Sequence, residues 1–161
     1  MTVSEYNRCV DLFSDGVYRF ILKNIRDDDS AQDIVQESFV RLWVKRSSVG
    51  FAKAKTYIFA TAYHAMIDMI RKNKRNIEYS EHHENVLTVD NQFSDLNEIL
   101  NEALEKLPGI QRTVITLRDY EGYSYKEIGE ITDLNEPQVK VYIYRARMFL
   151  KQYIGSLDRV I

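Results

Sequence analysis

With one cysteine, Cys9, the chain cannot hold an intramolecular disulfide, which makes a reducing cytoplasm the expected setting. Cys9 falls on an apolar helical face and reads as a small core residue rather than a reactive thiol. Only two prolines and six glycines interrupt 161 residues, so long stretches are free to be helical. There is no long hydrophobic run. The most apolar stretch, residues 57–70, is too short to span a bilayer and contains His64 and Asp68. The polar start MTVSEYNRCV lacks the apolar segment of a signal peptide, so a soluble protein is expected. A nucleophile beside its base, a glycine-rich phosphate loop and paired metal ligands are all missing, which argues against an enzyme and against a cofactor. The adjacent His82 and His83 diverge in extended chain, and His64 has no partner at metal-ligand spacing.

Charge of one sign is also missing overall, since the net value of −2 argues against a protein that clamps duplex DNA unaided. Its distribution is uneven. Residues 1–76 hold 13 Lys and Arg against 9 Asp and Glu, residues 77–95 hold five acids and no base, and residues 96–161 are near neutral. A basic block, an acidic tether and a neutral block imply two domains with different electrostatic duties.

Apolar periodicity predicts a helix from about Ser4 to Ile25, carrying Tyr6, Val10, Phe13, Val17, Phe20 and Ile21 inward. A second helix, capped by Ser30, runs to about Lys45, and its Ile34, Val35, Phe39, Leu42 and Trp43 cannot all point one way. Residues 46–55, RSSVGFAKAK, read as a small, basic loop with one aromatic, a chemistry suited to single-stranded nucleic acid. A third helix from Thr56 to about Asn73 ends in a cluster of Arg71, Lys72, Lys74 and Arg75. Residues 77–94 lack periodicity and read as a flexible acidic linker.

A further helix is expected from Asp95 to Pro108, and another from Ile110 to Tyr120, closed by Gly122. Ser124 and Glu127 then form a capping box, Ile128 and Ile131 give a short apolar stripe, and Thr132, Asp133 and Leu134 break it. Asn135 caps a longer helix that tolerates Pro137 in its first turn. Val139, Ile143, Ala146 and Leu150 face inward there, and a polar, basic surface faces out. Short helix, turn and longer reading helix make a helix-turn-helix.

Three stretches together resemble the extracytoplasmic-function (ECF, group IV) sigma factors of the sigma-70 family. They are DIVQESFVRLW at residues 33–43, TYIFATAYHAMIDMIRK at residues 56–72, and the block from LNEALEKLPG to YRARMFLK at residues 96–151. The resemblance implies an all-α chain of two small domains. Residues 1–76 would be a three- to four-helix region 2 domain, and residues 77–94 the acidic linker. Residues 95–155 would be a four-helix region 4 domain with the helix-turn-helix, and residues 156–161 a tail. Its implied partners are core RNA polymerase through the largest and second-largest subunits, promoter DNA, and an anti-sigma factor, membrane-bound in many members. No metal and no small-molecule substrate are implied.

By the same resemblance Asp33, Gln36, Glu37, Phe39, Val40 and Trp43 would dock on core polymerase. Ser48, Gly50, Phe51, Lys53, Lys55, Tyr57, His64, Arg71 and Lys72 would open and read the minus-ten element. Ser124, Tyr125, Asn135, Glu136, Gln138, Lys140, Tyr142 and Arg145 would meet the minus-thirty-five element, Glu136 suiting a cytosine amino group and Gln138 an adenine. The chain departs from the family pattern at Asp133, which stands at a usual turn glycine, and at Tyr57, Tyr63 and His64 in the third helix. A stand-alone helix-turn-helix regulator is the alternative; it leaves the first domain without a task.

Overall fold

The corners of this fold are made by caps that the sequence writes out. The computed structural model describes residues 1–77 and 95–158, with side chains up to 74 in the first segment and up to 156 in the second. The acidic stretch 78–94, with His82 and His83, and residues 159–161 lie outside the described residues. All regular structure among the described residues is helical.

Helix α1 (Val3–Ile25) opens on a reciprocal box in which the Thr2 N–H donates to the Glu5 carboxylate at 2.8 Å and the Glu5 N–H donates to the Thr2 hydroxyl at 3.1 Å. Arg26, left-handed at φ 51°, turns the chain into α2 (Asp28–Val44). The cap of α2 is Asp27 rather than the expected Ser30: its carboxylate accepts from the Ser30 N–H at 3.4 Å and from the Ser30 hydroxyl at 3.0 Å. Helix α3 (Phe51–Ile77) begins before the expected Thr56, so the stretch 46–55 is half turn and half helix. Ala52 and Ala54 favour helix, and Ala54 is fully buried, so packing holds the first turn in place. The three helices pack pairwise around Cys9, Phe20, Ile34, Leu42, Ile58 and Met66. Burial pushes the Cys9 thiol above its ordinary range, as expected of a core thiol.

The second half contains α4 (Asp95–Lys106), α5 (Gly109–Ile115), α6 (Tyr125–Thr132) and α7 (Glu136–Asp158). The helix expected to run straight to Tyr120 instead widens into a π-helical turn over Thr116–Tyr120 and stops at Gly122, φ 75°. Gly129 is required by close approach, because a Cβ there would lie 2.6 Å from the Leu134 carbonyl oxygen. Asp133 takes the left-handed position at φ 63° and closes α6.

The two halves share a seam. Helix α1 packs on α4, α5 and the π turn, and α3 packs on α6. Its apolar centre is a run of rings, with Phe20 and Phe59 at 5.7 Å and Phe59 edge-on to Tyr123 at 5.1 Å. Beside it Asn24, nearly buried, donates to the Phe20 carbonyl at 2.8 Å and to the Thr116 hydroxyl at 3.1 Å, and accepts from the Thr113 hydroxyl at 3.3 Å. At the rim Arg19 grips Glu121 with two guanidinium nitrogens at 2.6–3.1 Å, and the Glu121 side chain is only 3% exposed. Arg26 and Glu105 add an ion pair at 2.8 Å that lacks hydrogen-bond alignment. One group is left out: the Tyr123 hydroxyl is buried without a partner, and burial pushes its ionisation far upward.

Three stability changes follow. Gly129→Ala is expected to cost ~3 kcal/mol in chemical denaturation, since backbone must move to admit the methyl. Tyr123→Phe keeps the ring and removes the orphan hydroxyl, so it is expected to raise stability by ~1 kcal/mol. Arg19→Ala strands a buried carboxylate and is expected to cost ~1–2 kcal/mol, tempered by the half-exposed Arg19.

Candidate nucleic-acid interface and docking surfaces

The helix-turn-helix is built by two reciprocal boxes. Ser124 and Glu127 exchange bonds at 3.1 Å each across the start of α6. At α7 the Asn135 side chain accepts from the Gln138 N–H at 2.9 Å, and Gln138 Oε1 accepts from the Asn135 N–H at 3.1 Å. This second box corrects the base assignment of Gln138. A bidentate adenine contact needs both amide atoms, and the oxygen is already committed to the cap.

Val139, Ile143 and Ala146 are buried, so α7 turns its opposite face to solvent. Glu136, Lys140 and Arg145 are exposed there, and Tyr142 is half-buried against the core. Tyr125 lies between two cations, with the Arg118 guanidinium 4.7 Å and the Lys140 ammonium 5.7 Å from its ring centre. Arg147 is tied to Asp119 at 2.6 Å; that hydrogen bond raises its pKa and leaves its charge locally compensated.

On the first half, Ser48, Gly50, Lys53, Arg71 and Lys72 are exposed, and Tyr57 is partly buried. Phe51 is half-buried against the core with the Arg8 guanidinium 5.1 Å over its ring, so it is an anchor more than a free stacking platform. Two residues expected on the minus-ten surface face the other half instead. The Lys55 ammonium sits 4.7 Å over the Tyr123 ring, and His64 Nε2 lies 3.1 Å from the Asp133 carboxylate while Nδ1 lies 2.7 Å from the Ala60 carbonyl oxygen. Both His64 partners are acceptors, so the geometry is satisfied fully by the doubly protonated ring.

Along α2, Asp33, Gln36 and Glu37 are exposed, and Glu37 pairs with Arg41 at 2.6 Å. Val40 is 60% and Trp43 37% exposed, a small apolar patch beside acids. Phe39 does not belong to it. Only 7% exposed, its ring packs inward because the second apolar face of α2 is the core face. Trp43 is braced by Tyr6, edge-on at 4.9 Å, and by the Arg46 guanidinium at 3.8 Å. Sequence reasoning missed both braces; the three-residue spacing of Trp43 and Arg46 was the available signal. It also missed Asn24 and Glu121 at the seam, whose partners lie about a hundred residues away in the chain.

None of the described helices is long and apolar enough to cross a membrane. The chain matches the Sigma-70 region 2 family over residues 9–76 and the family described as Sigma-70, region 4 over residues 97–150. It is 30% identical over 156 residues to the ECF RNA polymerase sigma factor SigM of Bacillus subtilis, covering 94% of both chains. It is 30% identical over 164 residues to SigW of the same organism, covering 92% of this chain and 88% of the other. Its fold is similar to that of the sigma factor RpoE of Bartonella quintana, solved with the anti-sigma factor NepR, at a TM-score of 0.84 and 24% identity over 95% of this chain and 98% of that one. With both sigma regions in order and a relative of this identity along almost its full length, the chain belongs to the ECF sigma factors of the sigma-70 family and directs transcription initiation as an alternative sigma factor.

Proposed function

We propose that this sigma factor works by dividing the promoter between its halves, and that the closed arrangement is its idle state. In the working state α2 docks on core polymerase through Val40 and Trp43, with Asp33, Gln36 and Glu37 at the rim. The turn before α3, with Ser48, Gly50 and Lys53, meets the opened minus-ten strand, and Arg71 and Lys72 meet phosphate. The helix-turn-helix lies in the major groove of the minus-thirty-five element, held by Lys140 and Arg145. This is the work of a non-enzymatic initiation factor in the cytoplasm, where polymerase is. A stand-alone helix-turn-helix regulator is not favoured, because a sigma region 2 domain fills residues 9–76.

The observation that carries the idle state is that Lys55 and His64, assigned to minus-ten DNA, lie against α6 and Asp133 of the other half. Elements at minus ten and minus thirty-five are separated by roughly 25 base pairs, on the order of 85 Å of duplex at 3.4 Å per step. With α3 packed on α6, the two reading surfaces cannot reach both, so the seam must part on polymerase. At full extension, residues 77–95 reach about 60 Å, which together with the domains themselves allows that spread. An anti-sigma partner fits the same scheme by holding the closed form; the Bartonella quintana neighbour was solved with one.

Purified chain plus core polymerase is expected to give promoter-specific run-off transcripts, and the chain alone to give weak, salt-sensitive gel shifts. Stable sequence-specific duplex binding without core would overturn the reading. Val40→Asp, at an exposed position, is expected to weaken core binding at least ~10-fold in a fluorescence titration with no loss of melting temperature. A fluorescence-transfer pair placed on α2 and α7 is expected to separate when core polymerase is added; unchanged transfer would reject the closed idle state.

A further inference from the structure

The outward face of α7 is less polar than the reading surface of a helix that recognises bases by hydrogen bonds. At about 100° per residue, Val141 lies roughly opposite the buried Val139, at the centre of the exposed face. Val141 is 44% exposed, and Tyr144, one turn on, is 65% exposed; neither is in the buried cluster or packed against it. Lys140 and Arg145 lie to either side of this ridge, where they can meet the two phosphate walls of a groove. The polar residue best placed to read a base edge, Gln138, has its acceptor atom held by the Asn135 N–H.

In the major groove, thymine is set apart by one apolar feature, its C5-methyl group, and an apolar side chain is what recognises it. We propose that Val141 is a specificity-determining residue that selects thymine in the minus-thirty-five element through its methyl group, and that Gln138 fixes the start of the helix rather than choosing a base. The inference deepens the minus-thirty-five reading above and rests on it. Tyr144 extends the apolar ridge along the groove and shields the methyl contact from water. Specificity of this kind uses shape and burial and leaves the polar groups of neighbouring base pairs to water.

The test uses the full chain assembled with core polymerase. Duplex promoters randomised around minus thirty-five are selected by binding, and each enriched thymine is then replaced singly by deoxyuridine, which removes the methyl and keeps every hydrogen-bonding group. One enriched thymine is expected to lose ~4-fold in affinity on replacement, the worth of about one buried methyl. With Val141→Ala that penalty is expected to fall to near unity, and thymine enrichment at that position to fade. Gln138→Glu keeps the capping acceptor and is expected to return the same enriched sequence at lower overall affinity. If deoxyuridine binds as well as thymine at every enriched position, or Val141→Ala keeps the full penalty, the inference fails while the minus-thirty-five reading stands. A changed base preference with Gln138→Glu also overturns it. If no sequence is enriched around minus thirty-five, the underlying reading fails as well.

Discussion

Four carbonyl groups at the junction of the two halves depend on one side chain. Arg112 donates from Nε to the Leu104 carbonyl at 2.8 Å, from Nη2 to Glu105 and Leu107 at 2.9 and 3.0 Å, and from Nη1 to Asn24 at 2.7 Å. The first three are open carbonyls at the end of α4, which a helix cannot satisfy internally, and the fourth lies at the end of α1. Only a rigid fork of donors reaches all four, and burial, which lowers the Arg112 pKa, is tolerated because those acceptors replace water. The same residue therefore terminates one helix and fastens the other half to it. Around it the Asn24 network and the Phe59–Tyr123 contact assemble.

That seam is built unlike either domain core. Its centre is aromatic, but its margins are hydrogen bonds and ion pairs, each worth little net once water is counted as a competitor. It also keeps one orphan hydroxyl, on Tyr123, which solvent would satisfy if the halves parted. An interface with these properties holds by the sum of modest terms and can be outcompeted by a large partner that binds the separated form. The uneven charge along the chain agrees with this: the basic half needs help to hold nucleic acid, and a polymerase that positions both halves supplies it.

Much of this was legible in the residues, and the reasons differ by element. The helix-turn-helix was written in local chemistry: Ser124 with Glu127, Asn135 as a cap, and Asp133 tolerant of φ 63°. Local rules sufficed because caps act within one turn. The start of α3 was misplaced because Gly50 and two serines mark a loop, while the burial of Ala54, a tertiary effect, extends the helix back to Phe51. Phe39 was placed on the docking face for a similar reason, since spacing gives two apolar faces on α2 but not which of them is covered. The π turn and the seam were out of reach, because each depends on partners distant in the chain, such as Asn24 with Thr116. Gln138 shows the limit of motif transfer: the position matched a reading residue, but the atom needed for reading was engaged next door.

The contact between Gly129 and the Leu134 carbonyl has a mechanical side. With no side chain to cushion it, the backbone of α6 bears directly on the turn that launches α7, so the elbow between these helices is stiff. Helix α6 is also the element that rests on α3. Any push that lifts α6 off α3 therefore swings α7 by the same angle instead of being absorbed in the elbow. The reading helix moves as the far arm of a lever whose near arm is the seam.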